Sequence, residues 1–103
     1  MSVMMVVRMD ITDPAWMTPY FEAVPAILAE YGARSVAGGR DISLIEGRND
    51  VPQRVAILEF PTIESVEGFM EDPRYRPFRD ARRAGSQAEI WVFENDVKRG
   101  ELC

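Results

Sequence analysis

Residues Gln53–Arg83, QRVAILEFPTIESVEGFMEDPRYRPFRDARR, decide the fold. The stretch opens on the apolar run Val55-Ala56-Ile57-Leu58, which Glu59 and Phe60 carry to Pro61. A short apolar run bounded by turn formers is the pattern of a buried strand. Thr62 is placed to cap a helix whose apolar positions, Ile63, Val66, Phe69 and Met70, fall on one face. Asp72-Pro73 interrupts that helix, and a second helical piece with Tyr75 and Phe78 runs on to Gly85. A strand that feeds a helix returns it across a sheet, so the stretch predicts an α+β layer.

Working outward, residues 3–10 form a first strand. Val3, Met5, Val7 and Met9 share one face; Met4, Val6, Arg8 and Asp10 share the other. Both faces are apolar over most of their length, so both are expected to be covered. Asp13-Pro14 is a helix start, with a capping oxygen followed by proline. Trp16, Tyr20, Val24, Ile27, Leu28 and Tyr31 then make an apolar stripe ending at Gly32, with a kink expected at Pro25. Residues 34–46 read as a second strand, interrupted at Gly38-Gly39 by a bulge or a close backbone approach. Gly47–Pro52 is a polar turn before the strand Gln53–Phe60, and Ala88–Glu94 makes a fourth strand. Residues 95–103 are expected to be a loose tail on a single domain.

The order β-α-β-β-α-β is the ferredoxin-like split βαβ arrangement. Right-handed crossovers give an antiparallel sheet in the order 4-1-3-2 with both helices on one face. One chain cannot cover the opposite apolar face, so the pattern predicts a homodimer built as a dimeric α+β barrel.

Composition narrows the function classes. With 103 residues there is room for one core, and 47% apolar against 28% charged residues is ordinary for a globular chain. The net charge of -5, from 17 acidic and 12 basic residues, works against nucleic acid as a partner. No apolar run reaches the ~18 residues of a membrane span. The N-terminus, MSVMMVVRMD, lacks the basic start and small-residue cleavage site of a signal peptide, which points to a cytoplasmic location. The single cysteine, Cys103, supports neither a disulfide framework nor a thiolate metal site. Histidine is absent, which removes the commonest general base and the commonest metal and haem ligand. No cofactor and no metal are therefore expected.

The stretches VRMDITDPAWM (7–17), VPAILAEYGARSVAGG (24–39), ISLIEG (42–47) and RVAILEFPTIESVEGFMEDPRYRPFRDARRAGS (54–86) resemble a small bacterial family called domain of unknown function 1330. The resemblance runs from about Val6 to Glu94, and its most specific parts are the helix end at 24–34 and the strand-to-helix junction at 54–64. It implies a dimeric α+β barrel, whose relatives in fold include cofactor-free monooxygenases, lactone isomerases and haem-dependent peroxidases and dismutases. The family itself implies no reaction. This chain has Ala37 where many members carry an arginine before the glycine pair.

Arg8 and Glu59 are the first candidate site residues. They lie on strands expected to be adjacent, each the charge at the end of an apolar face, and two such charges are costly to desolvate unless they pair. A register-fixing ion pair is one reading; a base (Glu59) with an anion clamp (Arg8) in a cavity is the other. Trp16, Tyr20, Tyr31, Tyr75 and Trp91 are core aromatics or the lining of a pocket between helices and sheet, with Arg34 as a further ligand contact. Arg74, Arg76, Arg79, Arg82 and Arg83 form a local basic surface, solvated and partly paired with Asp72 and Asp80, or a contact for an anionic ligand. Asp13 is explained by capping, and Asp10 and Asp13 are not read as a catalytic pair. Two functions follow: a cofactor-free enzyme on a small organic molecule, which needs a cavity of a few hundred Å3, or a non-catalytic dimeric binding or stress-associated module, which needs a filled interior.

Overall fold

The structure, a computed structural model, describes residues 2–48 and 50–97. β1 (Val3–Ile11) is hydrogen-bonded along both edges, antiparallel to β3 (Arg54–Phe60) and to β4 (Ser86–Glu94). β2 (Arg34–Arg40) lies outside β3, giving the order β2-β3-β1-β4, which is the expected 4-1-3-2 counted from the other edge. A single 3-10 turn (Pro14–Trp16) leads into α1 (Met17–Glu30); α2 (Ile63–Glu71) and α3 (Arg76–Gly85) follow β3.

The strand alternation sorts side chains as the sequence predicts. Val3, Met5, Phe60 and their neighbours Leu58, Ile90 and Val92 meet Val24 and Ile27 of α1 and Val66 and Phe69 of α2 in one core. Phe60 and Val24 are completely enclosed, and burying such a side chain is worth about 1.5–3 kcal/mol. The caps sit where expected. Asp13 Oδ1 accepts from Ala15 N–H at 3.0 Å, and Thr62 Oγ1 accepts from Ser65 N–H at 3.1 Å. Asp10 acts on a different joint. Its Oδ1 accepts from Gln53 N–H (2.9 Å), while Gln53 Oε1 accepts from Ile11 N–H (2.8 Å). This exchange locks the end of β1 to the start of β3.

Two local expectations are corrected. β2 ends at Arg40 and does not reach residue 46, because Asp41 takes a positive φ of 59° that turns the chain out of the ladder. The bulge lies between Ser35 and Ala37, leaving Gly38 and Gly39 paired with Ala56 and Val55. α1 continues through Pro25, which, as expected, has no N–H to give to the Phe21 carbonyl. Residues 98–103 of the expected tail, including Cys103, lie outside the described residues. Asn95, at the tail's start, donates its N–H to Ser2 O at 3.0 Å.

The joint between α3 and β4 fixes the helix layer over the sheet. The Gly85 carbonyl accepts three N–H donors: Thr12 (2.9 Å), Asp13 (3.0 Å) and Trp16 Nε1 (3.2 Å). A Cβ at residue 85 would come 2.6 Å from Asp13 O and 2.9 Å from Trp16 Nε1. Both are tighter than real Cβ contacts allow, and the first is backbone. Gly85→Ala is therefore expected to destabilise the fold by about 1–3 kcal/mol, read as a lowered midpoint in urea unfolding.

Candidate functional site

The aromatic residues of α1 and of the α2–α3 corner are held by their own sequence context. Trp16 packs edge-on against Tyr20 at 5.2 Å, and Tyr75 stacks on Phe69 at 4.1 Å. The corner that carries Tyr75 is built by Asp72, the residue before Pro73. Asp72 is buried, accepts from Tyr31 Oη (2.7 Å), and accepts from Arg74 through its backbone N (2.8 Å), Nε (3.1 Å) and Nη2 (2.9 Å). Arg74 also reaches Glu30 at 2.8 Å, so the corner is tied to the end of α1 at two points. The Arg74 guanidinium, then the Tyr31 hydroxyl, hold the Asp72 carboxyl well below the usual carboxylate range.

Between α1 and the sheet lies a cavity of about 620 Å3. Its walls are largely apolar, from Met5, Val7, Met9, Val24, Leu28 and Ile90 among others. Tyr20, Tyr75 and Arg82 are among the polar side chains that line it, with Arg34, Ser35, Arg40 and Arg54. The Tyr20 and Tyr75 hydroxyls are hydrogen-bonded at 2.9 Å, and Arg82 enters from α3. Burial first, and then the neighbouring Tyr75 hydroxyl, raise Tyr20 well above the usual phenol range, while Arg82 pulls the other way. Tyr20 thus enters the site as a neutral hydroxyl near pH 7.

Arg82 is the residue that sequence pattern alone misplaces. The arginine run groups it with a solvated basic surface, yet it is only 5% exposed and forms no ion pair with a carboxylate among the described residues. A signal for its burial exists: Arg82 stands four residues after Phe78 and three before Gly85, on the inward row of α3. Three other arginines of the run have carboxylate or backbone partners. Arg74 pairs with Asp72 and Glu30, and Arg76 with Glu71. Arg79 pairs with Asp80 and Glu71 and donates to Met70 O at 2.9 Å.

The expected pairing of Arg8 with Glu59 does not form. Register sets Arg8 opposite Val55 and Glu59 opposite Met4, four residues apart along the strand, or about 13 Å. Arg8 instead meets Glu89 at 3.5 Å and donates to Asp50 O at 3.3 Å. Glu59 takes Arg34 at 2.7 Å. The Arg34 guanidinium, and next the Ser2 hydroxyl, lower the Glu59 pKa, so it is an ionised carboxylate with little pull on a proton. Arg8 and Glu59 both stand on the sheet face away from the helices and do not line the cavity. Of the proposed ligand contacts, Trp16, Tyr20 and Tyr75 line the cavity, and Arg34 borders it while turning its guanidinium to Glu59. Tyr31 is not part of the lining. Trp91 is also corrected: Ile90 and Val92 face the core, so alternation turns Trp91 to the opposite face, where it is 49% exposed.

Fold and cavity together define a ferredoxin-like α+β domain with a ligand-sized space beneath its helices. The chain matches the family described as "Domain of unknown function (DUF1330)" over residues 2–96 and belongs to it. Among solved structures, a protein of unknown function from Rhodopseudomonas palustris is similar at a TM-score of 0.80 and 16% identity, covering 94% of this chain and 84% of that one. SnoaB, a cofactor-independent oxygenase from Streptomyces nogalater, is similar at a TM-score of 0.65 and 22% identity, covering 97% and 98%. A dimeric protein of unknown function with a ferredoxin-like fold from Bacteroides fragilis NCTC 9343 is similar at 0.63 and 16%, covering 91% and 96%. At these identities the likeness is one of fold. No protein of curated function matches the chain. No helix among the described residues is long and apolar enough to cross a membrane, and no group of three or more acidic, His or Cys residues there could hold a metal ion.

Because Asp72 is ionised more easily in the folded chain than in the unfolded one, its contribution to stability is complete above the ordinary carboxylate pKa of ~3.9 and fades as pH falls below it. Asp72→Asn is expected to lower the urea midpoint at pH 7. The difference between the two proteins should shrink steadily in unfolding series run from pH 4 downward.

Proposed function

We propose that the protein is a cytosolic homodimer that binds a small, largely apolar organic molecule in the cavity beneath α1 and acts on it without a bound cofactor. The observation that carries this reading is Arg82. A buried guanidinium costs several kcal/mol unless something compensates it, and the polar side chain beside it is the neutral phenol of Tyr20. An oxygen of a bound ligand, carrying or acquiring negative charge, would supply the partner. Fixed donors aimed at such an oxygen stabilise an enolate or phenolate more than its neutral parent, which is how a cavity of this kind promotes reaction. The Tyr20–Tyr75 pair would orient that oxygen. Among the described residues the lining contains no carboxylate, so the reading favours substrates acidic enough to ionise when Arg82 faces them. The likeness in fold to SnoaB supports cofactor-free chemistry of this type. A cavity of about 620 Å3 speaks against the filled interior that a purely structural module requires.

The test is binding of 2-naphthol, an apolar body with one weakly acidic oxygen, followed by quenching of tryptophan emission. The wild type is expected to bind it and to bind its anion more tightly, so that the bound naphthol ionises at lower pH than the free compound. Arg82→Gln should cut affinity at least tenfold and abolish that shift; an unchanged shift would show that Arg82 does not face the ligand.

The dimer rests on the sheet face turned away from the helices. Met4, Val6, Val55 and Ile57 share that face with Trp91 and Phe93, which are 49% and 52% exposed. A second copy laid face to face would bury it, with at least the ~1,200 Å2 of a specific interface. The dimeric Bacteroides fragilis neighbour supports this assembly. Light scattering should return twice the monomer mass for the wild type and the monomer mass for Trp91→Glu, whose side chain does not enter the core. A monomeric wild type at micromolar concentration would reject the dimer.

A further inference from the structure

Arg40 and Arg54 are direct cross-strand partners on β2 and β3. Both line the cavity, at the ends of their strands beside the loop that joins β2 to β3. Like charges set opposite each other across an antiparallel pair oppose folding. Neither arginine forms an ion pair among the described residues, although Asp41 is the next residue in the chain. Arg54 is half-buried, and its guanidinium lies 6.0 Å from the centre of the Phe21 ring, which is itself part of the cavity wall. That contact holds a cation over the opening from the α1 side.

We propose that Arg40 and Arg54 form an anion subsite at the mouth of the cavity, and that the ligand is an apolar molecule carrying a carboxylate. The proposal rests on the cavity reading given above and adds a second polar end to it. Two arginines on directly paired positions could supply a carboxylate's two oxygens, each able to present a fork of N–H donors. Arg82 comes from α3 and lines a second, smaller pocket together with Ser86, Ala88 and Ile90 of β4, the strand on the other flank of β1. Met9, Val7 and Met5 of β1 line the floor between the two basic ends. A ligand that satisfies both ends has a flat or narrow apolar body, a carboxylate at the mouth and an ionisable or carbonyl oxygen at Arg82.

The experiment compares 6-hydroxy-2-naphthoate, its methyl ester and 2-naphthol in equilibrium titrations at low salt, on the wild type and on Arg40→Gln/Arg54→Gln. The wild type is expected to bind the carboxylate at least tenfold more tightly than the ester, with the preference shrinking as salt is raised. The double variant should lose that preference while binding 2-naphthol as before. Its thermal midpoint should be equal to or above that of the wild type, since a repulsion is removed. Arg82→Gln should weaken all three compounds yet keep the carboxylate-to-ester ratio. Equal affinity for carboxylate and ester in the wild type, with 2-naphthol still bound, would overturn the subsite and leave the cavity reading standing. Failure of all three compounds to bind would overturn both.

Discussion

The antiparallel register of β1 against β3 and β4 is the constraint on which the rest of the molecule depends. Val3 lies opposite Phe60 on one side and Glu94 on the other, and the pairing continues without a slip along β1. Side chains alternate with a period of two, so a slip of one residue would exchange the two faces wholesale. The register therefore sends Met5, Leu58 and Val92 under the helices and Val6, Ile57 and Trp91 to the other side. The Asp10–Gln53 exchange and the Gly85 carbonyl with its three donors keep it from sliding.

Period-two alternation, caps and turn residues are local signals, and they are enough for the strand order, the helix layer and the side chains of the core. What the sequence does not disclose is register between strands distant in the chain. Arg8 and Glu59 are both charges at the end of apolar faces, and strand adjacency alone makes them look like partners. Their distance from each other is set by where β3 begins against β1, which depends on the length of the loop before it. Extending β2 to residue 46 hides that length, because a positive φ at Asp41 is not visible in composition.

Arg82 is hard to read for a different reason. In a run of five arginines over ten positions, charge dominates the pattern and helix phase is easily set aside. Phase, however, is what decides burial in α3. Phe78, Arg82 and Gly85 share the row that faces the core, while Arg76 and Arg79 fall on rows that reach Glu71 and Asp80. The aromatic candidates divide by element. Trp16 and Tyr20 at the start of α1 and Tyr75 at the α2–α3 corner line the cavity, and Trp91 on β4 falls to the wrong face by one residue.

A protein that places an arginine in its core gives up stability that a leucine would have kept, and large buried costs persist where function needs them. The same logic separates this arginine from Arg34, Arg74 and Arg79. Each of those sits in an ion pair or donates to a backbone carbonyl, so its position is explained by the fold alone. Arg82 has instead a neutral phenol beside it and an apolar cavity in front of it. A phenol lowers the cost of the buried cation only partly, because a dipole is a weaker partner than a charge. Were a ligand to occupy the cavity that Arg82 lines, the guanidinium would favour an oxygen that bears negative charge over one that does not.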